Sequence, residues 1–364
     1  MSDLQEVLQA AVDDGTVPGA VALVARGDRA EVAVAGPMAR DSVFRIASST
    51  KPVTAAAVMM LVDDGRIALD DEIRTWLPEL ASPGVVRTPA SPVDDVVAAH
   101  RPITVADLLT FRAGWGFPSD FSRPAVAPLL AMMNGDPLRA DAGSDAWLAT
   151  LADIPLLHQP GETWLYNTCA DVLGVLVERV AGQPFAGFLA ERLFGPLGMA
   201  DTGFTTSAAD RLVDYFRPTP DGGRELVDDG DVWSRPPAFA SGAGGLVSTV
   251  DDWWAFGRML LADGAGVLSP ESVRLMTTDH LTGAQRDAST LFLEGQGWGF
   301  GGSVDVAAVD PWNVAGRYGW VGGTGTATHV VPATGTVTVL FSQVAMTGPT
   351  PPALMRAFWT CAAG

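Results

Sequence analysis

Lysine is almost missing from this sequence. Its 364 residues hold 23 basic side chains, and all but one, Lys51, are arginine. Arginine keeps its proton inside a protein, whereas a buried lysine amine can lose its proton at working pH. A chain that uses arginine everywhere else and sets its single lysine at position 51 either needs a titrating amine there or carries a chance surface lysine. Cysteine is scarce too. Cys169 and Cys361 are the only two, too few for a disulfide framework or a thiolate metal site. The four histidines, His100, His158, His280 and His329, are scattered and show no H-E-x-x-H spacing. Neither a metal nor another cofactor is expected. Positive charge as a whole is short, since 42 acidic residues leave a net charge of -19. Such a body repels phosphate backbones and anionic lipid heads, so nucleic acid and membrane surfaces are poor partners. No apolar stretch reaches the length of a bilayer span. The opening MSDLQEVLQAAVDDG has no basic segment followed by an apolar one, so it does not read as a signal peptide, and a soluble cytoplasmic protein is expected. No G-x-S-x-G pentapeptide occurs, which removes the nucleophile elbow of the α/β-hydrolases.

Apolar residues are abundant, at 48%, and charged ones make up 18%, enough for a large core. Leu4, Val7, Leu8, Ala11 and Val12 recur at helical spacing over 2–14, and Gly15 suits the cap. Residues 19–36 read as a β-hairpin turning at Gly27-Asp28, and 42–47 as a third short strand. A helix follows from about Thr50, tolerating Pro52 in its first turn and stopping at Gly65. From 67 to 287 the pattern is mostly helical, with clear helices at 103–111, 169–182 and 249–264. From about 296 the period changes to that of strands, and a last helix closes the chain. The expected fold is α/β of the α+β type: an antiparallel sheet built from both ends of the chain and flanked by helices, with a mostly helical insertion. Residues 1–66 and 288–364 would form the sheet domain and 67–287 the helical domain, with the active site in the cleft between them.

The lone lysine ends the tetrapeptide Ser48-Ser49-Thr50-Lys51, an S-x-x-K spacing at a strand-to-helix junction. Positions i and i+3 share a face of a helix, which brings the Ser48 hydroxyl within reach of the Lys51 amine. A serine hydroxyl is a weak nucleophile until an adjacent base takes its proton. The helix N-terminus also favours a developing anion. Ser49 lies only two residues from Lys51 and faces elsewhere. Tyrosine is rare, and Tyr166 sits in PGETWLYNTCADVLG, a loop entering an amphipathic helix. A phenol beside a lysine can act as general acid or base, or it can simply be packed with its hydroxyl bonded. The glycine-rich stretch 316–326 could let a substrate approach the backbone and supply an oxyanion N–H, or form a plain hairpin. Among eleven tryptophans, most of which suit packing, Trp115 and Trp233 are candidates for lining the site.

Together these motifs resemble the serine β-lactamase and penicillin-binding-protein superfamily, in particular its class C β-lactamase-like esterase branch. The resemblance runs through LLTFRAG (108–114), PGETWLYN (160–167), SGAGGLVSTVDD (241–252) and GWVGGTGT (319–326). It implies Ser48 as the acylated nucleophile, Lys51 as its partner and Tyr166 as the tyrosine of the Y-x-N motif. Thr168 replaces the asparagine of that motif, which puts the amide-binding role in question. Trp320-Val321-Gly322 stands where the family has K-T-G or H-x-G, and Gly323 would pair with Ser48 as oxyanion donor. Lysine or histidine there offers positive charge to a substrate carboxylate; Trp320 offers an apolar face and one N–H. The expectation is a carboxylesterase acting on small, neutral, fairly hydrophobic ester or acyl substrates. A biosynthetic acyltransferase using the same residues, an amide or β-lactam hydrolase, and a non-catalytic binding module that retains the fold are the alternatives.

Overall fold

The computed structural model describes residues 3–134 and 142–364. At its centre is one seven-stranded antiparallel sheet drawn from the two ends of the chain. Helix α1 (Asp3–Asp13) leads into the hairpin β1 (Ala20–Arg26) and β2 (Arg29–Ala35). The short strand β3 (Phe44–Arg45) precedes helix α2 (Lys51–Asp63). Further along come helix α3 (Thr168–Ala181), strand β4 (Val247–Ser248) and helix α4 (Val250–Leu261). The remaining strands are β5 (Gly297–Trp298), β6 (Ser303–Val304), β7 (Tyr318–Gly322), β8 (Thr326–Val331) and β9 (Thr336–Ser342), before the closing helix α5 (Ala353–Ala363). In space the sheet runs β2-β1-β9-β8-β7-β6-β5. The N-terminal hairpin therefore pairs with the last strand, Ala20 opposite Ser342 and Arg26 opposite Thr336.

Both faces of this sheet are covered, which is why β1 reads AVALVA with no polar alternation. Ala20, Ala22 and Val24 pack on one face with Leu4 and Leu8 of α1 and Leu354 and Phe358 of α5. Val21, Leu23 and Ala25 point the other way into the main core. Helix α4 lies on that second face, and its Gly257 allows the approach: a Cβ there would stand 2.7 Å from Val337 Cγ1. By sequence this helix falls in the helical stretch; its buried stripe of Trp253, Phe256 and Met259 instead sets it against the sheet.

The stretch 67–287 also holds two small antiparallel ribbons, Gly84–Val86 with Val96–Ala98 and Phe216–Pro218 with Arg224–Leu226. Of the strand expected over 42–47, Val43 makes a single parallel bridge to Leu212 and only β3 forms a strand, which pairs with β4 in a ribbon of its own rather than joining the main sheet. Helix α2 is buried on every side from Lys51 to Leu61, its small Ala55, Ala56 and Ala57 suiting close packing against α3. Among the described residues, no single helix is long and apolar enough to cross a membrane.

Candidate active site

Ser48 lies in a single 3₁₀ turn, Ala47–Thr50, that runs straight into α2. Ala47 holds φ +42°, a left-handed backbone that a non-glycine residue adopts at a cost of about 1–3 kcal/mol. The turn leaves Ser48 partly open to solvent and buries Ser49 completely. Three residues on, Lys51 is only 1% exposed. Its Nζ lies 2.8 Å from Ser48 Oγ and donates to the Ala243 carbonyl at 2.7 Å. Burial pushes the amine's pKa down to about 7, against the pull of the Asp171 carboxylate. At neutral pH a large fraction of this amine is therefore unprotonated, with a lone pair for the serine proton.

Tyr166 reaches the same point from the loop before α3. Its backbone is clamped to Phe117 in both directions, Phe117 N–H to Tyr166 O at 2.9 Å and Tyr166 N–H to Phe117 O at 3.0 Å. Asn167 follows with φ +85° and ψ −69°, and Thr168 N–H donates back to Tyr166 O at 3.3 Å. That is a γ-turn of the rare, strained kind. It turns the chain from the loop into α3 while the tyrosine ring points toward Ser48. The Tyr166 hydroxyl accepts from Trp320 Nε1 at 2.7 Å and is hydrogen-bonded to Ser48. Burial drives its pKa up to about 12 despite those two bonds. The Lys51 nitrogen stands 4.7 Å from the centre of the Tyr166 ring. Phe292 packs on that ring at 4.7 Å, and Trp298 meets Trp320 edge-on at 4.8 Å.

Strand β7 lies flush against the Ser48 turn. A Cβ on Gly322 would stand 2.3 Å from the Ile46 carbonyl oxygen, so only glycine fits. Thr326 Oγ1 donates to that carbonyl at 3.0 Å, and Thr324 Oγ1 to the Arg45 carbonyl at 2.5 Å. Gly323, next along, is exposed and has open space where a side chain would be. An amine with a pKa near neutrality, a protonated phenol and a glycine strand end thus surround the Ser48 hydroxyl. These are the parts that acyl transfer through serine requires.

A family model described as Beta-lactamase matches residues 4–356. The chain belongs to the beta-lactamase family. Protein Rv1367c of Mycobacterium tuberculosis (strain ATCC 25618 / H37Rv) is 40% identical over 345 residues, covering 88% of this chain and 84% of that protein. Esterase EstB of Burkholderia gladioli is 32% identical over 391 residues, covering 98% and 94%. The solved structure of EstCE1, described as a hydrolase with promiscuous acyltransferase activity, superposes with a TM-score of 0.84 at 26% identity, covering 100% of this chain and 98% of that one. The resemblance read from the motifs holds for family and fold.

In this member of the beta-lactamase family, other residues singled out from sequence lie elsewhere. Trp115 is fully buried and donates its N–H to the Ile154 carbonyl at 2.8 Å, so it is a core residue and lines no cleft. Trp233 donates to Asp229 Oδ2 at 2.6 Å, lies under the Arg45 guanidinium and packs with Val43 and Val247 in a small separate cluster. Thr168 is buried at the start of α3 and borders a small cavity with Leu129, Trp147 and Asp171; the second partner of the Lys51 amine is the Ala243 carbonyl. Trp320, by contrast, does stand at the site, with its one N–H donor committed to Tyr166. Sequence reasoning missed Ala243, Asp171 and Phe292. A backbone carbonyl has no residue signature. Asp171 did have one, as an acid inside the apolar run CADVLGVLV.

Proposed function

We propose that this protein is a serine carboxylesterase that works through an acyl-enzyme on Ser48, with Lys51 as base and Tyr166 as proton carrier. The observation that carries the reading is the Lys51 amine, buried, held near neutrality and 2.8 Å from the Ser48 hydroxyl. Ser48 Oγ attacks the ester carbonyl as its proton passes to the neutral amine, and the carbonyl oxygen becomes an oxyanion. The backbone N–H groups of Ser48 and Gly323 receive that charge. Tyr166, still a phenol at neutral pH, gives its proton to the departing alkoxide and regains one from the Lys51 ammonium. Water then attacks the acyl-enzyme by the same steps in reverse, and Ser48 is regenerated.

Two features support neutral, fairly hydrophobic esters. Trp320 offers no positive charge to a substrate carboxylate, its one polar hydrogen being held by Tyr166. Phe292, 9% exposed, packs on Tyr166, and Phe121, 41% exposed, stands on from it with ring centres 6.1 Å apart, an apolar wall for an acyl or alcohol group. The second reading is transfer of the acyl group to an alcohol or amine rather than to water, and the likeness to EstCE1 supports it.

The test is intact-protein mass with peptide mapping after brief exposure to p-nitrophenyl butyrate and to a phosphonate, on wild type, Ser48→Ala and Lys51→Arg. One adduct on Ser48, absent in Ser48→Ala and strongly slowed in Lys51→Arg, is expected. An adduct that persists in Ser48→Ala, or none at all, would sink the proposal. Turnover of benzylpenicillin faster than short aryl esters would overturn its substrate class. Product analysis with added alcohols separates hydrolysis from transfer.

A further inference from the structure

Lys51 is held by a strap whose other end is fixed to an acid. The strap is Ser241–Gly242–Ala243, and it lies flush on α3: a Cβ on Gly242 would stand 2.3 Å from the Ala170 carbonyl oxygen. Asp171, three residues into α3, is 6% exposed, and its Oδ1 accepts from Ser241 Oγ at 2.6 Å and from Ala243 N–H at 3.0 Å. On the other side, α2 holds the strap twice. Thr54 Oγ1 donates to the Gly242 carbonyl at 2.7 Å, and Lys51 Nζ donates to the Ala243 carbonyl at 2.7 Å. The carbonyl that orients the amine therefore belongs to the residue whose N–H is fixed by Asp171. Burial pushes the Asp171 carboxyl above its ordinary range, while the hydrogen bonds from Ser241 and Ala243 and the charge of Lys51 pull it back toward the carboxylate.

The groups facing the amine from its surroundings are few. Tyr166 comes from the loop before α3 and presents its ring. Strand β7 presents Trp320, while Tyr318 on the same strand donates its hydroxyl to the Phe300 carbonyl. Asp107, on the neighbouring short helix Val105–Leu109, is engaged by Arg101. Among the described residues, Asp171 is the carboxylate whose charge acts on Lys51.

We propose that Asp171 is a positioning residue for the Ser48–Lys51 pair, fixing the strap that aims the Ala243 carbonyl at the amine and bringing a carboxylate to bear on it. The inference rests on the reading of Lys51 as the base of an acyl-enzyme cycle. It concerns the amine alone, however, and can be read there directly. The carboxylate favours the ammonium form, so removing its charge lets burial lower the affinity of Lys51 for its proton. Asp171→Asn keeps an oxygen for the two strap donors and deletes the charge; Asp171→Ala deletes both.

Because the chain has one lysine, labelling with lysine carrying carbon-13 at Cε gives a single side-chain resonance in the full-length protein. Its titration midpoint is expected near 7 in wild type, and about one pH unit lower in Asp171→Asn. The acid limb of kcat/KM for p-nitrophenyl butyrate is expected to move with it, while KM changes little. Asp171→Ala is expected to lose activity without rescue at any pH. Should the Asn variant fail to fold, Asp171→Ser, which also deletes the charge and keeps an acceptor oxygen, is expected to move the resonance in the same direction. A lysine midpoint unmoved in the folded variants would overturn the proposal, even if activity fell. Absence of a Ser48 adduct in wild type would instead defeat the acyl-enzyme reading, and the lysine titration would still report on Asp171.

Discussion

Replacing Trp320 with phenylalanine isolates one hydrogen bond. Phenylalanine retains an aromatic ring beside Trp298 and removes the indole N–H that reaches the Tyr166 hydroxyl at 2.7 Å. In the ground state that bond joins two neutral groups and contributes about 1 kcal/mol. As Tyr166 hands its proton to a leaving alkoxide, negative charge gathers on the phenolic oxygen. A bond to a charged acceptor contributes about 1.5–3 kcal/mol. Only the gain from ground state to transition state, about 0.5–2 kcal/mol, enters the rate, so at about 1.4 kcal/mol per factor of ten the loss of the bond predicts acylation roughly 2–30-fold slower. The loss depends on the leaving group. An alkyl ester needs its alkoxide protonated, whereas p-nitrophenolate departs as a stable anion. Rapid-mixing measurements of acylation with an ethyl and a p-nitrophenyl ester of the same acid are therefore expected to show the full loss for the alkyl ester and a much smaller one for the aryl ester, with KM nearly constant for both. Equal losses on the two esters would refute the assignment of Tyr166 as the proton donor, and an unchanged alkyl-ester rate would refute any role for the indole bond.

Three other outcomes follow from the same geometry. Lys51 acts only when neutral, so kcat/KM should rise tenfold per pH unit below about 7 and level off above it, with no second fall until the stability limit because Tyr166 stays protonated up to about 12; a pH–rate profile that is flat between 5 and 8, taken as roughly the physiological range for such titrations, would contradict it. Gly257→Ala forces a methyl group to within 2.7 Å of Val337 between α4 and the sheet, and should cost about 1–3 kcal/mol in urea unfolding while the specific activity of the folded protein is unchanged. Phe292→Ala removes the ring 4.7 Å from Tyr166 and should lower kcat/KM for long-chain esters about tenfold relative to acetate esters, corresponding to about 1.4 kcal/mol of apolar contact.

What could be read from the chain was what the chain places close together. Ser48 and Lys51 are three residues apart on one helical face, so their contact was implied before any fold was known. The two ends of the chain carry strand periodicity, and their union in one sheet follows from the need to cover apolar faces. Trp115 and Trp233 carry no motif like the one that marks Trp320, and by residue type alone an indole suits a core and a site equally. What separates them is the acceptor each N–H finds: Ile154 carbonyl, Asp229 carboxylate or Tyr166 hydroxyl. That choice depends on partners 39, 4 and 154 residues away. The one partner near in sequence belongs to the tryptophan outside the site, and the one that defines the site is the most distant. Lys51 shows the same divide. Its proposed role was implied by its rarity and spacing, yet the burial that lowers its proton affinity and the Asp171 carboxylate that opposes it come from the packing of α3 on α2, and the Ala243 carbonyl that holds the amine comes from a strap far along the chain. The candidate nucleophile and base are thus legible as a local pattern, whereas the environment that leaves the amine unprotonated near neutral pH is a property of the folded core.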